Sequence, residues 1–441
     1  MTLPDRLLHA LAPWRHAPAW CVAFSGGLDS TVLLHLLAEL RERETLPPLS
    51  AIHVAHGLQA AAEPWPAHCR AVCQRLGIAL RIVRVEVERN AASLEQAARE
   101  ARYAAFAAAL RPGDVLLTAQ HRDDQAETLL FRLLRGAGVR GLGGMPASRP
   151  LGEGQLVRPL LAVSRAELET YARQHALPWV EDPSNADTGF ARNFLRRQVM
   201  PLFSAHWPQA AANLARAAAH LREADALLGE LAEQDLAPAR APSPWPWLSL
   251  PSLRLEPLLA LSEARQRNAL RHWLTPLTRL PDGDHWAGWH CLRDAAGERA
   301  PVWCLEGGEL RRAAGRLWWL AGPWLQAPQL DEVYGGGQLD LPGNGRLFWE
   351  GDLPPGPLRL AYRCGGERLS LAGRGTRDLK RLLNESALPP FVRDRLPLVL
   401  RGDELLAVAN LPALCASEVQ GGLHWECPKA NLGFELTGRF R

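Results

Sequence analysis

The chain has 441 residues, 47% of them hydrophobic and 22% charged, with a formal net charge of +3. At about 100 to 200 residues per domain this length predicts two to four globular units, and so small a charge does not by itself indicate nucleic-acid binding. Eight cysteines without a Cys-x-x-Cys pair do not resemble a disulfide framework, and neither a signal-peptide core nor an apolar stretch of about 20 residues is present. We therefore expect a soluble, cytoplasmic protein that does not enter a membrane.

Short apolar runs alternate with helical patterns from about residue 20 to residue 179. This alternation predicts an α/β fold with a doubly wound, mostly parallel sheet, and ligands in such folds bind outside the carboxyl ends of the strands. The predicted strands are 20–24, 50–56, 81–87 and 115–120. The predicted helices are 31–40, 93–110, 124–134 and 164–175, the second of which begins at a capping-box spacing of Ser93 with Gln96.

A short glycine-containing turn joins the first predicted strand to the first predicted helix. Its residues are Ser25, Gly26, Gly27, Leu28, Asp29 and Ser30. The glycines allow the backbone to turn tightly and approach a ligand, while the free amides of the helix start favour an anion such as phosphate. A carboxylate here would repel phosphate unless a cation such as Mg²⁺ lies between them, so Asp29 is predicted to be a metal or reaction-centre residue. The alternative is a turn that only caps the helix.

Two histidines follow in the second predicted strand. His53 and His56 lie near its carboxyl end, where they would face the base and ribose of a nucleotide. Their spacing is weak evidence for a metal site, because no third ligand accompanies them and a strand would place them on opposite faces. Packing is the alternative role for at least one of them.

Carboxylates open the helix that follows the fourth predicted strand. Asp123, Asp124 and Glu127 stand at its start, where acidic side chains stabilise any helix through its dipole. The competing interpretation is functional, since one of these carboxylates could share a Mg²⁺ ion with Asp29. Each residue alone supports both interpretations equally, and the glycine-containing turn favours the second.

Arginines recur in the segments that come next. Residues 133–145 contain five glycines together with Arg135 and Arg140, a composition that suits a flexible substrate clamp or lid, with a surface connection as the alternative. Arg192 and Arg196 have the spacing of one helix face. In isolation, a solvated helix surface would explain that pair as well.

Seven segments between residues 20 and 202 resemble, in their order, the tRNA(Ile)-lysidine synthase family of the PP-loop ATP pyrophosphatase superfamily. They read SGGLDS, HVAHGL, TAQHRDDQAET, LLRGAGVRGLGGM, RPLL, DPSN and RNFLR. Residues 363–368, 373–374, 378–383 and 388–398 are similar to the family's carboxyl-terminal tRNA-binding domain, whereas the middle of the chain matches only loosely. Departures from the family pattern are Ala55, Arg122 and the pair Ser370 and Leu371.

The resemblance implies an enzyme that uses ATP to adenylate the wobble cytidine of a tRNA(Ile) with a CAU anticodon. Free L-lysine then displaces AMP and gives lysidine, and no obligate protein partner is expected. The implied ATP-binding residues are 25–30, His53 and His56. The implied catalytic residues are Asp29, Asp124 and Arg192, of which the two aspartates would also hold Mg²⁺, and the implied substrate-binding residues are Arg135, Arg140 and Arg196.

The resemblance and the linker composition together predict four segments. They are an ATP-binding catalytic domain at 1–215, a helical-plus-strand tRNA-binding domain at 216–330, a connecting segment at 331–356 and a small α+β tRNA-binding domain at 357–441. Proline-rich 237–251 and glycine-rich 334–357 supply the linker signals.

The last segment carries the predicted tRNA-binding residues. These are Arg374, Arg377, Lys380 and Arg381. The last three are spaced i, i+3 and i+4 and would form a cationic stripe on one helix face that can follow a phosphate backbone. A solvated face paired with Glu385 is the alternative.

The closest alternative function is a PP-loop tRNA 2-thiolase, which adenylates a base in the same way but delivers sulfur and usually needs catalytic cysteines. Cys69 and Cys73 form a close pair on a predicted helix, and buried inert thiols explain them more simply. A nucleotide-sensing or RNA-binding protein without catalysis and a small-molecule PP-loop amide ligase are two further alternatives.

Overall fold

The computed structural model describes residues 1–55, 64–86, 94–279, 286–295, 301–328, 331–371, 373–416, 419 and 421–429. These residues divide into two compact units, of which the first ends at Leu227 and the second begins at Leu228. In this described part of the chain, no helix combines the length and the apolar character needed to span a membrane.

A six-stranded sheet forms the centre of the first unit. Its strands are β1 (Trp20–Ala23), β2 (Leu49–Ala55), β3 (Ala79–Arg84), β4 (Val115–Leu117), β5 (Ser148–Leu151) and β6 (Gly154–Val157). They lie in the order β3-β2-β1-β4-β6-β5, and every neighbouring pair is parallel except the hairpin of β5 and β6. The chain reverses its direction across the sheet between β1 and β4, which is where such folds bind their ligands.

Nine helices of the described chain lie wholly within the first unit. They are α1 (Leu3–Leu11), α2 (Leu28–Leu40), α3 (Trp65–Arg75), α4 (Leu94–Ala109), α5 (Arg122–Leu133), α6 (Val139–Leu142), α7 (Arg165–Gln174), α8 (Ala191–Phe194) and α9 (Met200–His206). A tenth, α10 (Ala210–Leu236), runs across the division between the units.

Hydrophobic cores lie on both faces of this sheet, because successive strand residues point to opposite sides. In β4, Val115 and Leu117 belong to a core shared with α2 and α7, while Leu116 belongs to a second core shared with α4. Helices therefore cover both faces, as a buried parallel sheet requires. The predicted doubly wound α/β fold class is confirmed.

Most predicted elements of this unit overlap the observed ones. The predicted strand 115–120 ends early, at Leu117, because His121 already caps α5. The β5–β6 hairpin is not among the predicted elements. The predicted capping box at Ser93 lies outside the described residues.

The described residues of the second unit form three sheets. Its strands are β7 (Ser252–Arg254), β8 (Val302–Leu305), β9 (Gly308–Ala313), β10 (Arg316–Ala321), β11 (Asp331–Tyr334), β12 (Gln338–Leu341), β13 (Gly345–Glu350), β14 (Leu358–Ala361), β15 (Arg368–Leu371), β16 (Gly375–Asp378), β17 (Leu398–Arg401), β18 (Glu404–Val408) and β19 (Gly422–Glu426). The sheet orders are β7-β10-β9-β8, β11-β14-β17-β18-β15-β16 and β12-β13-β19. Its helices are α11 (Leu255–Leu259), α12 (Glu263–Leu274), α13 (Ala287–Asp294), α14 (Leu379–Glu385) and α15 (Pro390–Arg393).

Residues 331–356, predicted as a connecting segment, contain three of these strands. Leu341, Leu347 and Trp349 are buried in the same core as β17 and β18, and β13 pairs with β19 near the end of the described chain. The glycines that resembled a linker serve turns instead: Gly343, with a φ of +64°, lies between β12 and β13. This segment therefore contributes to the core of the second unit.

Candidate active site

The turn between β1 and α2 is shaped to hold an anion close to the backbone. Gly26 has a φ of +85°, which favours glycine, and a Cβ there would meet Cys69 Sγ at 3.0 Å. Gly27 is the N-cap residue of α2, so the free amides of the helix start lie next to the turn. The Oγ atoms of Ser25 and Ser30 are 3.0 Å apart. The turn therefore offers amide and hydroxyl donors to a phosphate.

Asp29 lies opposite the amino end of α5. Its Oδ2 is 3.7 Å from Nε2 of His121, and Oδ2 of Asp124 is 3.5 Å from the same nitrogen. Oδ1 of Asp29 and Nε2 of His121 are buried and have no hydrogen-bond partner among the described residues. The structure thus brings together the two carboxylates that the sequence selects for Mg²⁺, with one imidazole between them.

His121 holds this position because it caps α5. Its backbone N–H donates to Oδ2 of Asp124 at 3.0 Å, and its Nδ1 accepts from the backbone N–H of Asp124 at 3.4 Å. Because Nδ1 accepts, the proton of the neutral ring is on Nε2, toward Asp29. Burial lowers the pKa of His121, but Asp123, Asp124 and Asp29 together outweigh burial and hold this pKa above its usual value. His121 lies within the TAQHRDDQAET segment, but its residue type and position alone did not predict a role for it.

The surroundings of Asp29 fit a divalent cation. Burial raises the pKa of Asp29 above its usual range, against the opposing effects of His121 and Arg165. A carboxylate whose charge is disfavoured by burial gains stability from a bound cation, and carboxylate oxygens are the ligands that Mg²⁺ prefers. The partnerless Oδ1 of Asp29 and the nearby oxygens of Asp124 are the donors that such an ion would use.

Arg196 neutralises the carboxylates of α5. Its Nη2 donates to Oδ1 of Asp124 at 2.7 Å, and its Nε and Nη2 donate to the two oxygens of Glu127 at 2.7 and 2.9 Å. Only 2% of the Glu127 side chain is exposed. Burial raises the pKa of Glu127, and the paired contact with Arg196 opposes that rise. Arg196, predicted to bind substrate, thus makes these contacts with protein carboxylates.

Arg192 reaches the same helix. Its Nη2 donates to Oγ1 of Thr128 at 2.8 Å. Leu195–Val199 is a π-helical turn, so Arg192 and Arg196 do not share the face of one regular α-helix as their spacing predicts. They nevertheless bind consecutive residues of α5, Thr128 and Glu127.

Arg165, the first residue of α7, is a site residue that sequence analysis missed. Its Nη1 is 3.4 Å from Oδ2 of Asp29, and its backbone N–H donates to Oδ2 of Asp123 at 2.9 Å. A single arginine at a helix start carries no sequence signal of its own. Only the packing of α7 against α2 brings it to a residue 136 positions away in the chain.

A cleft of about 420 Å³ opens beside these groups. It is lined by Asp123, Glu127, Arg165, Asn185, Arg196, Arg197, Met200, Pro201 and Ser204. Because both acidic and basic side chains line it, the cleft suits a small molecule that carries both charges, such as an amino acid.

His53 lies behind the turn. It is 3% exposed, and its Nδ1 is 2.9 Å from the carbonyl oxygen of Phe24 and 3.4 Å from Sγ of Cys69. This geometry is that of the packing alternative, in which His53 fixes the end of β1 that leads into the turn. His56 lies outside the described residues.

The glycine-rich segment 133–145 is held in place at its far end. The side chain of Gln125 accepts from the backbone N–H of Met145 at 2.6 Å and donates to its carbonyl at 2.7 Å. Arg132 donates to the carbonyl of Gly144 at 2.9 Å. If this segment acts as a lid, its first residues, from 133 onward, would therefore be the part that moves.

Of the two predicted substrate arginines of that segment, Arg135 lies in its first half and Arg140 lies in α6. Arg135 and Arg140 are exposed, and the Arg135 guanidinium is 5.0 Å from the ring centre of Phe131. Within the described residues, neither of them lines the cleft.

The predicted helical stripe of the second unit is wrong. Arg377 lies in strand β16, and α14 begins two residues later, after its N-cap residue Asp378. The carboxylate of Asp378 accepts from the backbone N–H of Lys380, which sets the helix start there. Arg377 therefore cannot share a helix face with Lys380 and Arg381.

Two of the predicted tRNA-binding cations are paired instead. Arg374 donates to Glu385 at 2.9 Å, and Arg381 lies 3.4 Å from the other oxygen of the same carboxylate. Arg377 and Lys380 make no ion pair with any described residue, and both are exposed. The pairing with Glu385 is the alternative that the sequence left open.

The cysteines of α3 are unsuited to carrying sulfur. Cys69 and Cys73 are both buried. Burial raises the pKa of the Cys69 thiol to about 12 and that of Cys73 to about 11. Because the thiolate is the nucleophile, buried thiols whose pKa is raised in this way are poor nucleophiles, which agrees with the interpretation of these cysteines as packing residues.

Three family models match the chain. A PP-loop domain matches residues 2–203, a TilS substrate binding domain matches residues 253–318, and a TilS substrate C-terminal domain matches residues 358–427. The matched segments cover the turn and α5 in the first unit, and the exposed cations Arg374, Arg377, Lys380 and Arg381 in the second.

Curated relatives are similar over nearly the whole chain. The tRNA(Ile)-lysidine synthase of Pseudomonas aeruginosa is 65% identical over 438 residues, which are 98% of this chain and 98% of that protein. That of Pseudomonas fluorescens is 62% identical over 427 residues, 96% of each chain. That of Escherichia coli O157:H7 is 39% identical over 407 residues, 88% of this chain and 91% of the relative.

Proposed function

The chain belongs to the tRNA(Ile)-lysidine synthase family, and from this premise we propose that it joins free L-lysine to the wobble cytidine of a tRNA(Ile) with a CAU anticodon. It is an enzyme that forms lysidine on tRNA(Ile) with ATP as a substrate. The main observation that supports the proposal is that the turn at 25–30 lies next to the carboxylates of α5. Asp29 and Asp124 both approach Nε2 of His121 there.

The turn supplies the chemistry that the first step needs. A carbonyl oxygen of cytidine is a poor leaving group until it carries AMP, so ATP must be cleaved between its α- and β-phosphates. We place the β- and γ-phosphates against the amides of Gly27 and the helix start, with the hydroxyls of Ser25 and Ser30 as further donors. Donors fixed beforehand around the departing pyrophosphate stabilise the charge that develops there.

Asp29 and Asp124 are the proposed holders of Mg²⁺. The bound ion would offset the negative charge that develops between the phosphates. The residues of this chain prepare the site for it: burial disfavours the charge of Asp29, and Arg196 orients Asp124 through a contact of 2.7 Å. Arg192 and Arg196 are proposed to steady the α-phosphate or the cytidine once a nucleotide replaces part of their present contacts.

We assign the lysine site to the cleft beside α5. Asp123 and Glu127 would face the amino groups of lysine, and Arg197 its carboxylate, since all three line the cleft. The attacking amine must lose a proton, and Glu127, whose pKa burial raises, is the proposed acceptor. Replacing Arg197 with alanine should then raise the KM for lysine more than the KM for ATP.

The exposed cations of the second unit are proposed to contact the tRNA. Arg377 and Lys380 have no ion pair among the described residues, so they can bind phosphate without first breaking a protein contact. Arg374 and Arg381 would have to share theirs with Glu385.

Mass spectrometry of nucleosides tests the proposal directly. The tRNA is incubated with ATP and isotope-labelled lysine, digested, and examined for labelled lysidine, with a parallel reaction that contains a sulfur donor in place of lysine. We expect labelled lysidine and no thiolated base. Thiolation without lysine incorporation would overturn the proposal, and so would the absence of both products when calorimetry shows that ATP binds.

A further inference from the structure

A second cluster of ligand-type side chains lies at the far end of α2. His35 and Glu39 are one helical turn apart on that helix, and His175 caps the carboxyl end of α7. At a rise of about 1.5 Å per residue, Glu39 lies about 15 Å along the helix axis from Asp29. The cluster is therefore separate from the nucleotide site, and the proposed function makes no use of it.

The geometry of the cluster is compact. One ligand atom from each of His35, Glu39 and His175 lies within 4.8 Å of the other two. The Tyr171 hydroxyl donates to Oε2 of Glu39 at 2.7 Å and lies 3.0 Å from Nδ1 of His35. The Tyr171 ring also stacks on the imidazole of His175, with ring centres 4.1 Å apart. Tyr171 thus holds three side chains from two helices around one point.

We propose that His35, Glu39 and His175 bind one Zn²⁺ ion that pins α2 to α7. Two imidazoles and one carboxylate are a donor set that Zn²⁺ takes in proteins, with water in the fourth position, whereas Mg²⁺ prefers oxygen ligands alone. With metal–ligand distances of about 2.0–2.1 Å, the ligand atoms of a tetrahedral site lie about 3.4 Å apart. The cluster must therefore contract by about 1.4 Å, which rotation of three partly exposed side chains can supply.

The neighbouring groups support this assignment. Zinc-bound carboxylates are themselves hydrogen-bonded, and Glu39 already accepts from Tyr171.

A metal ion in this cluster would also affect the proposed nucleotide site, because α2 and α7 extend from one to the other. Asp29 lies in the first turn of α2 and Arg165 in the first turn of α7, 3.4 Å apart. A metal at the opposite ends of the same two helices would fix their relative position. The ion is thus expected to stabilise the fold without taking part in the reaction.

Metal titration of the full-length protein without a histidine tag tests the proposal. Chelator-treated and dialysed protein is titrated with Zn²⁺ alone by calorimetry, in buffer with excess Mg²⁺ so that carboxylate sites are already filled. Wild type should bind one equivalent and melt at a higher temperature with Zn²⁺. His175→Ala, at an exposed position, should weaken Zn²⁺ binding more than about 100-fold. Loss of a residue that only hydrogen-bonds to a ligand usually weakens metal binding by about 10–100-fold, so the larger effect would identify His175 as a ligand.

His16→Ala removes another exposed histidine of the same unit and should leave the titration unchanged. Glu39→Gln keeps an acceptor for Tyr171 and should still weaken Zn²⁺ binding, which separates ligation from folding. Bound Co²⁺ should give the intense visible bands of a four-coordinate ion. The proposal is overturned when wild type binds no Zn²⁺, or when His175→Ala binds one equivalent with unchanged affinity.

Discussion

Asp29 is the position where a single change should most sharply separate catalysis from folding. Asp29→Asn keeps the size of the side chain and removes its charge. That charge lies 3.4 Å from the guanidinium of Arg165 and 3.7 Å from Nε2 of His121. At an effective dielectric constant of about 20, two unit charges at this separation interact by about 5 kcal/mol, and exposure of 28% of the Asp29 side chain and 38% of the Arg165 side chain reduces that figure.

The folded protein without nucleotide should tolerate this substitution. Burial raises the pKa of Asp29, which means that the site without a cation already disfavours the charge. The free energy of unfolding should therefore stay within about 1 kcal/mol of wild type. Turnover should fall at least about 10²–10³-fold, the usual cost of removing one electrostatic group from a transition state.

The assay is lysidine formation followed by nucleoside mass spectrometry, beside tRNA affinity from filter binding and unfolding in urea. Glu153→Gln removes an exposed carboxylate from the turn between β5 and β6 and serves as the matched control. We expect normal tRNA affinity for both variants and lost turnover for Asp29→Asn alone. Turnover within twofold of wild type would refute the assignment, and an equal loss of tRNA affinity would show that Asp29 acts elsewhere.

Three further outcomes are expected. Arg196→Ala leaves Glu127 buried and unpaired and should lower the free energy of unfolding, measured in urea, by about 3–5 kcal/mol. Arg197→Ala, at an exposed position, should lower it by less than about 0.5 kcal/mol. Equal losses in the two variants would contradict the pairing of Arg196 with Glu127. Burial acts to raise the pKa of Glu167, but Ser164 and Arg6 outweigh burial and hold that pKa below its usual value. Glu167 therefore stabilises the folded protein at any pH above its unfolded pKa of about 4.3. This stabilisation is lost as the pH falls through the folded pKa. The stability advantage of wild type over Glu167→Gln should thus be constant near neutral pH and shrink in acid, and an advantage that grows in acid would reverse the sign. Arg377→Ala with Lys380→Ala should weaken tRNA binding and flatten its salt dependence more than Arg374→Ala with Arg381→Ala, whose cations are partly neutralised by Glu385; an unaltered salt slope in the first pair would count against these contacts.

Point variants are the appropriate test of the tRNA contacts, because the carboxyl-terminal region cannot be removed cleanly. Trp425 and Leu423 of β19 pack in one core with Leu248 and Trp318 from earlier in the second unit. Deleting residues 357–441 would expose that core, and a raised tRNA KM in such a deletion would not distinguish lost contacts from lost folding.

The sequence by itself determined the fold class and which residues meet at the proposed nucleotide site. Apolar runs of strand length predict a parallel sheet, and the carboxyl ends of parallel strands meet at one edge, so the sequence alone predicts that residues as far apart as Asp29 and Asp124 lie close together. The sequence also predicts the tight turn from its glycines, because the positive φ at Gly26 depends on that one residue and not on distant contacts.

Only the tertiary structure decided the partners of those carboxylates. Arg165 and Arg196 reach Asp29 and Asp124 across 136 and 72 positions of the chain, and a pairing at that range depends on how whole helices pack, which no periodic pattern encodes. The same holds for Arg377: its spacing fits a helix face, but hydrogen bonding to β15 and the cap at Asp378 keep it in a strand. Short stretches of sequence determine local features such as turns and helix caps. Ion pairs between helices depend on how the hydrophobic cores pack those helices together.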